Sequence, residues 1–133
     1  VVDDEPDIVT YLTTFFDNQG FTTRSAGNAE EAWKILTESP PDLVTLDVLM
    51  PGKSGIGLYR RMRNDERTKD VPVLFVSGCN PGSGRVDARK YIYSRQNLPP
   101  PDGFLDKPVD RELLLLTVRK ILEARHRSAP VAG

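Results

Sequence analysis

Leu43-Val44-Thr45-Leu46-Asp47-Val48-Leu49-Met50-Pro51-Gly52 is the stretch that decides the reading of this chain. A short apolar run, bounded by Pro40-Pro41 before it and Pro51-Gly52 after it, predicts a strand buried on both faces. A carboxylate at the end of such a strand is poorly solvated and needs a cation, hydrogen bonds or a chemical task. In an open parallel sheet, the carboxyl ends of the strands are where ligands bind. Asp47 is therefore the first candidate functional residue.

Working outward, the hydrophobic pattern alternates between strand and helix. Val1-Val2 reads as the tail of a strand that runs into Asp3-Asp4-Glu5. Pro6 suits a first helical turn, and Ile8, Leu12 and Phe15, with Tyr11 and Phe16 beside them, give an amphipathic helix closed by Gly20. Residues 21–25 predict a short second strand. Asn28, with Glu31 three residues on, predicts a capped helix through Ala32, Trp33, Ile35 and Leu36.

Beyond the central strand, Ser54 is placed to cap a helix carrying Leu58, Tyr59 and Met62, and residues 71–76 predict the next buried strand, ending at Ser77-Gly78. A polar, Gly-rich loop then leads to a weakly amphipathic stretch over 85–96, broken by Pro99-Pro100-Pro101. Phe104-Leu105-Asp106 is a very short strand before Lys107-Pro108. Asp110 caps a last helix on Leu114, Leu115, Val118, Ile121 and Leu122. Five βα units in order call for an α/β fold, an open doubly wound parallel sheet with right-handed crossovers.

Composition narrows the function. At 133 residues the chain fits one domain with its own core. We read residues 1–125 as that domain and 126–133 as a tail or linker. A formal net charge of −1 supplies no positive field for nucleic acid or anionic lipid, so direct nucleic-acid binding is not expected. Cys79, the single cysteine, can form no internal disulfide and no thiolate metal site. No stretch reaches the length of a membrane span and residues 1–133 show no basic-then-apolar signal pattern, so a cytoplasmic location is expected. The opening on Val1-Val2, without an initiator Met, reads as a fragment cut from a longer protein.

Asp3-Asp4, Asp47, Ser77 and Lys107 fall at the ends of four different predicted strands, all at one edge of such a sheet. Three carboxylates raise one another's pKa unless a cation sits among them. Oxygen donors with positions left for water suit Mg²⁺. With a lysine and a hydroxyl added, the set matches the needs of phosphoryl transfer, with Asp47 as nucleophile. Each residue alone has a plainer reading: an acidic helix start for Asp3-Asp4-Glu5, a turn residue for Asp47, a loop hydroxyl for Ser77, a solvated lysine for Lys107 and a core ring for Phe104.

Val1-Val2-Asp3-Asp4-Glu5, Asp47-Val48-Leu49-Met50-Pro51-Gly52 with Gly55, Val76-Ser77-Gly78 and Phe104-Leu105-Asp106-Lys107-Pro108 together resemble the receiver domain of two-component response regulators. The resemblance runs from Val1 to about Arg125. It implies a flavodoxin-like (βα)5 fold with strand order 2-1-3-4-5. It also implies that Asp47 takes a phosphoryl group from a sensor histidine kinase or phosphotransfer protein. By the same resemblance Asp4, Asp47 and the backbone carbonyl of Leu49 ligate Mg²⁺, and Asp3 acts mainly through water. Lys107 pairs with phosphoryl or carboxylate oxygens, and Ser77 and Phe104 form the switch.

The chain departs from that pattern in places. Ser77 to Lys107 spans 30 residues, longer than is usual. Lys53 stands where an apolar residue is more usual, and the switch aromatic is Phe rather than Tyr. The alternative is a phosphatase or phosphotransferase with an aspartyl nucleophile, but such enzymes commonly place a second Asp where this chain has Leu49. A flavodoxin would want a Ser/Thr/Gly-rich phosphate loop where Asp3-Asp4-Glu5 stands, and a pseudo-receiver would not need the full acidic set. Leu113 and Leu116, off the apolar stripe of the last helix, suggest a homodimer surface near Phe104.

Overall fold

The chain is described by a computed structural model over residues 1–47, 55–77, 102–106 and 109–128. Three parallel strands, β1 (Val44–Leu46), β2 (Val73–Ser77) and β3 (Gly103–Asp106), pair in the order β1-β2-β3. Leu46 lies opposite Phe75, which in turn lies opposite Phe104. Val2 continues the sheet on the other side of β1, bridging Leu46 and Ala26 in parallel. Read across the sheet, the segments follow the order second, first, third, fourth, fifth in chain sequence, as the 2-1-3-4-5 arrangement requires.

The second segment differs from expectation. Pairing falls on Ala26 rather than on a strand over 21–25, because Val1 and Asp3 set the register: Ala26 N–H donates to the Val1 carbonyl at 2.9 Å and Asp3 N–H to the Ala26 carbonyl at 3.1 Å. β2 reaches Ser77 but starts at Val73, while the Pro72 carbonyl accepts from Val44 N–H. The weakly amphipathic stretch over 85–96, Ser54, Cys79 and the proline triplet lie outside the described residues.

Helices α1 (Pro6–Asn18), α2 (Ala29–Glu38), α3 (Gly55–Arg63) and α4 (Arg111–Ser128) cover both faces of the sheet. Strand alternation divides the core in two. Val2, Val44, Leu46, Val73 and Phe75 face Ala32 and Leu36 of α2 and Leu58, Tyr59 and Met62 of α3. Leu74, Val76 and Leu105 face Leu12 and Phe16 of α1 and Leu114, Val118 and Ile121 of α4. The predicted apolar stripes are thus the buried ones, except at Tyr11 of α1, which is 40% exposed. Leu113 and Leu116 stand out at 48% and 52% exposed.

The helix ends follow the local chemistry. After α1, Gly20 takes φ +91, the left-handed conformation that costs glycine least. Phe21 N–H reaches the Phe16 carbonyl at 3.0 Å and Gly20 N–H the Asp17 carbonyl at 3.1 Å, a Schellman closure. The Phe16 and Phe21 rings meet edge-on at 5.7 Å, sealing it. Asn28 caps α2 by accepting from Glu31 N–H, and the Glu31 carboxylate accepts in return from Gly27 N–H, one residue before the cap itself. Asp110 caps α4 through Glu112 and Leu113 N–H. α4 stays helical past Arg125 to Ser128, and the Arg125 guanidinium donates to the Asp42 carbonyl.

At the opposite pole from Asp47, Arg63 fastens α3 to the sheet. Its guanidinium donates to the carbonyls of Lys69 and Val71, at 2.9 and 2.7 Å, and pairs with Asp102 at 3.3 Å. Asp102 also accepts from Val73 N–H at 2.8 Å, so one carboxylate joins α3, β2 and the approach to β3.

One polar group stands against this pattern of satisfaction. Thr45, 4% exposed in β1, has no hydrogen-bond partner for its hydroxyl among the described residues. A buried, unpartnered hydroxyl costs its desolvation without return. Replacing it with the near-isosteric methyl in Thr45→Val is expected to raise the unfolding free energy by about 1 kcal/mol. Urea titration measures this; a lower stability would show that the hydroxyl is engaged.

Candidate functional site

The site grows out of the strand ladder. Val2 N–H donates to the Thr45 carbonyl at 2.8 Å, and Asp47 N–H donates to the Val2 carbonyl at 2.9 Å. Those two bonds put Asp3 and Asp47, each one residue past the Val2–Leu46 pair, side by side at the carboxyl ends of neighbouring segments. Both are buried, at 2% and 4% exposure, while Asp4 lies on the solvent side. A carboxylate oxygen from each of Asp3, Asp4 and Asp47 falls within 4.8 Å of the others. One Asp3 oxygen also accepts from Glu5 N–H at 2.9 Å, which fixes the carboxylate as the chain turns into α1.

Three formal negative charges this close, two of them shielded from water, favour a positive group between them. The donors are all oxygen, which suits a hard divalent cation keeping several waters and suits no thiolate-seeking metal. The buried pair and the solvent-side Asp4 fit such an ion.

The other predicted residues fall around this edge to the extent that the chain is described. Ser77 is the last residue of β2 and lies opposite Asp106, the last residue of β3. Asp106 immediately precedes Lys107, which, like Leu49 and the Ser77 hydroxyl, lies outside what is described. Phe104 is half-buried in β3, its ring 6.1 Å from that of Phe75. The sequence reading did not single out Phe75 or Tyr59, whose rings lie 5.0 Å apart behind Phe104. In the sequence both read as ordinary apolar positions of a strand and a helix.

The family model described as "Response regulator receiver domain" matches residues 1–119. The chain is 32% identical over 134 residues to Response regulator Rre1 of Synechocystis sp., covering all of this chain and 54% of that protein. It is 30% identical over 122 residues to Protein PilH of Pseudomonas aeruginosa, covering 92% of this chain and 94% of that one. Among solved structures, the signal receiver domain of a signal transduction histidine kinase from Syntrophus aciditrophicus superposes with a TM-score of 0.79 at 26% identity, over 99% of this chain and 94% of that one. The chain thus spans about half the length of Rre1 and nearly all of PilH.

The acidic cluster makes a direct prediction. A cation bound only by the folded state stabilises it by mass action, about 2.7 kcal/mol at a free concentration one hundred times Kd. Mg²⁺ is therefore expected to raise the thermal midpoint of the wild-type protein, and Asp4→Asn to blunt the rise. A midpoint indifferent to Mg²⁺ in the wild type would contradict the cluster's role.

Proposed function

The chain belongs to the response regulator receiver domain family, and we propose that Asp47 is the residue on which it accepts a phosphoryl group. As a receiver domain of a response regulator it is a signalling module. The convergence of Asp3, Asp4 and Asp47 oxygens within 4.8 Å at adjacent segment ends is the observation that carries the assignment to Asp47.

Chemically, an Asp47 carboxylate oxygen attacks phosphorus, the bond from phosphorus to the donor nitrogen breaks, and the electron pair leaves with the imidazole of the donor. An acyl phosphate on Asp47 results. Asp4 and Asp47, with the Leu49 carbonyl and with Asp3 through water, would hold Mg²⁺, which would supply charge neutralisation for the phosphoryl oxygens. Burial of Asp47 at the sheet edge keeps bulk water from competing with that charge stabilisation. Lys107, directly after β3, offers the compensating positive charge, and the Ser77 hydroxyl offers a hydrogen bond to the new phosphoryl group. Phe104, half-buried beside Phe75, is the ring that would change position when Ser77 is drawn to phosphate.

The donor is a sensor histidine kinase or a phosphotransfer protein. Nothing in the site or the relatives favours the phosphatase alternative. Among the described residues no helix is long and apolar enough to cross a membrane.

A small phosphodonor such as acetyl phosphate is expected to add one phosphoryl mass to the wild-type protein in Mg²⁺ and none in EDTA, with Asp47→Ala unlabelled in both. Intact-mass spectrometry reads the result; absence of an Mg²⁺-dependent adduct, where a control receiver is labelled, would reject the proposal.

The paired leucines of α4 favour one further element, a homodimer through the last helix. Leu113 and Leu116 are the most exposed large apolar side chains there. Light scattering of the phosphorylated protein is expected to give a dimer mass, and Leu116→Glu a monomer mass. An oligomeric state unchanged by Leu116→Glu would remove the dimer from the account.

A further inference from the structure

Behind Phe104 lies an aromatic column that runs along one face of the sheet into α3. Phe104 and Phe75 are directly opposite each other in the β3–β2 ladder, their rings 6.1 Å apart and tilted by 48°. Phe75 meets Tyr59 of α3 at 5.0 Å in an edge-on arrangement. Both Phe75 and Tyr59 are fully buried, at 0% exposure, whereas Phe104 is only half-buried. The Arg63 guanidinium sits 4.8 Å from the Tyr59 ring centre and pairs with Asp102, two residues before Phe104. The column therefore closes on itself: β3 touches α3 by one route through two rings and by another through one ion pair.

This arrangement has a mechanical consequence. A ring packed on all sides cannot absorb a neighbour's displacement, because interiors are packed as densely as crystals. Of the three rings, only Phe104 is partly exposed to solvent. Asp102 and Arg63 hold the start of β3 against α3, so a shift of the Phe104 ring cannot be relieved by moving the strand as a whole. It acts on Phe75, and Phe75 on Tyr59.

We infer that Phe75 and Tyr59 are positioning residues that pass the position of Phe104 to α3, so that the α2–α3 face registers the state of Asp47. The inference rests on the reading of Asp47 as phosphoacceptor and Phe104 as switch. The plain alternative is an aromatic core that contributes stability and carries no signal.

The chain holds its own reporter. Trp33 is the only tryptophan in the sequence, and the Arg61 guanidinium of α3 stacks 4.2 Å above its ring. A small movement of α3 alters that contact and with it the indole emission.

The test follows Trp33 fluorescence while acetyl phosphate and Mg²⁺ load the full chain, with intact mass recording occupancy in the same samples. Wild-type emission is expected to change on loading. Phe75→Leu and Tyr59→Leu are expected to be phosphorylated to the same extent with at least a fivefold smaller emission change, and Tyr59→Phe, which keeps the ring, to retain most of it. A wild type that is phosphorylated without any change at Trp33, or a Phe75→Leu variant that keeps the full change, would overturn the inference. If no phosphorylation occurs, the assignment of Asp47 fails, and the column is judged on the unmodified protein. There, Trp33 emission of Phe104→Ala against wild type separates the cases: an emission change that is lost in a Phe75→Leu background supports the relay, and an emission that Phe104→Ala leaves unmoved overturns it.

Discussion

Two carboxylates buried side by side are the constraint on which the rest of this structure depends. Asp3 and Asp47 are only 2% and 4% exposed, and the Val2–Leu46 bridge leaves them no freedom to separate. Removing a charge from water costs several kcal/mol even after relaxation, and two like charges cost more. A fold keeps such an arrangement only where something positive resides there or arrives there. In this chain the acidic edge is built by backbone hydrogen bonds from three segments distant in sequence, so the charges cannot drift apart without breaking the sheet.

The two faces of the sheet then divide the work. On one side α1 and α4 bury a mainly aliphatic layer around Leu74, Val76 and Leu105, closed at one end by Phe16, Phe21 and the Gly20 turn. On the other, α2 and α3 enclose a layer with more aromatic surface, where Tyr59, Phe75 and Phe104 line up. The Arg63–Asp102 pair is part of that second layer's frame. Arg63 is largely covered and also satisfies two backbone carbonyls, so the pair is hydrogen-bonded well beyond what an exposed ion pair achieves.

Much of this is legible in the amino-acid sequence. The apolar runs at 43–46 and 71–76 and the stripes of the four described helices carry periodicities that burial enforces, so they matched the structure closely. Asn28, Asp110, Pro6 and Gly20 were readable because capping is local chemistry. The acidic cluster was readable because a carboxylate at the end of a buried strand is unusual by itself. The second strand was misplaced because its position depends on register with Val1–Asp3, and register is a tertiary property that residues 21–25 do not encode. The Arg63–Asp102 clamp was invisible for a similar reason. Its partners are 39 residues apart, and neither position carries a local signal. The aromatic column was hidden more simply, since rings at core positions look alike until the ladder sets Phe75 opposite Phe104.

The central claim is that the buried carboxylate at the end of β1, and not one of its acidic neighbours, receives the phosphoryl group. An acyl phosphate is reduced by borohydride to the alcohol, which turns the modified aspartate into homoserine and marks it permanently. Peptide mass spectrometry after phosphodonor, Mg²⁺ and borohydride therefore reads the acceptor directly. The account predicts homoserine at position 47 alone; homoserine at position 3 or 4, or at no position in a protein that carries the phosphoryl mass, would contradict it.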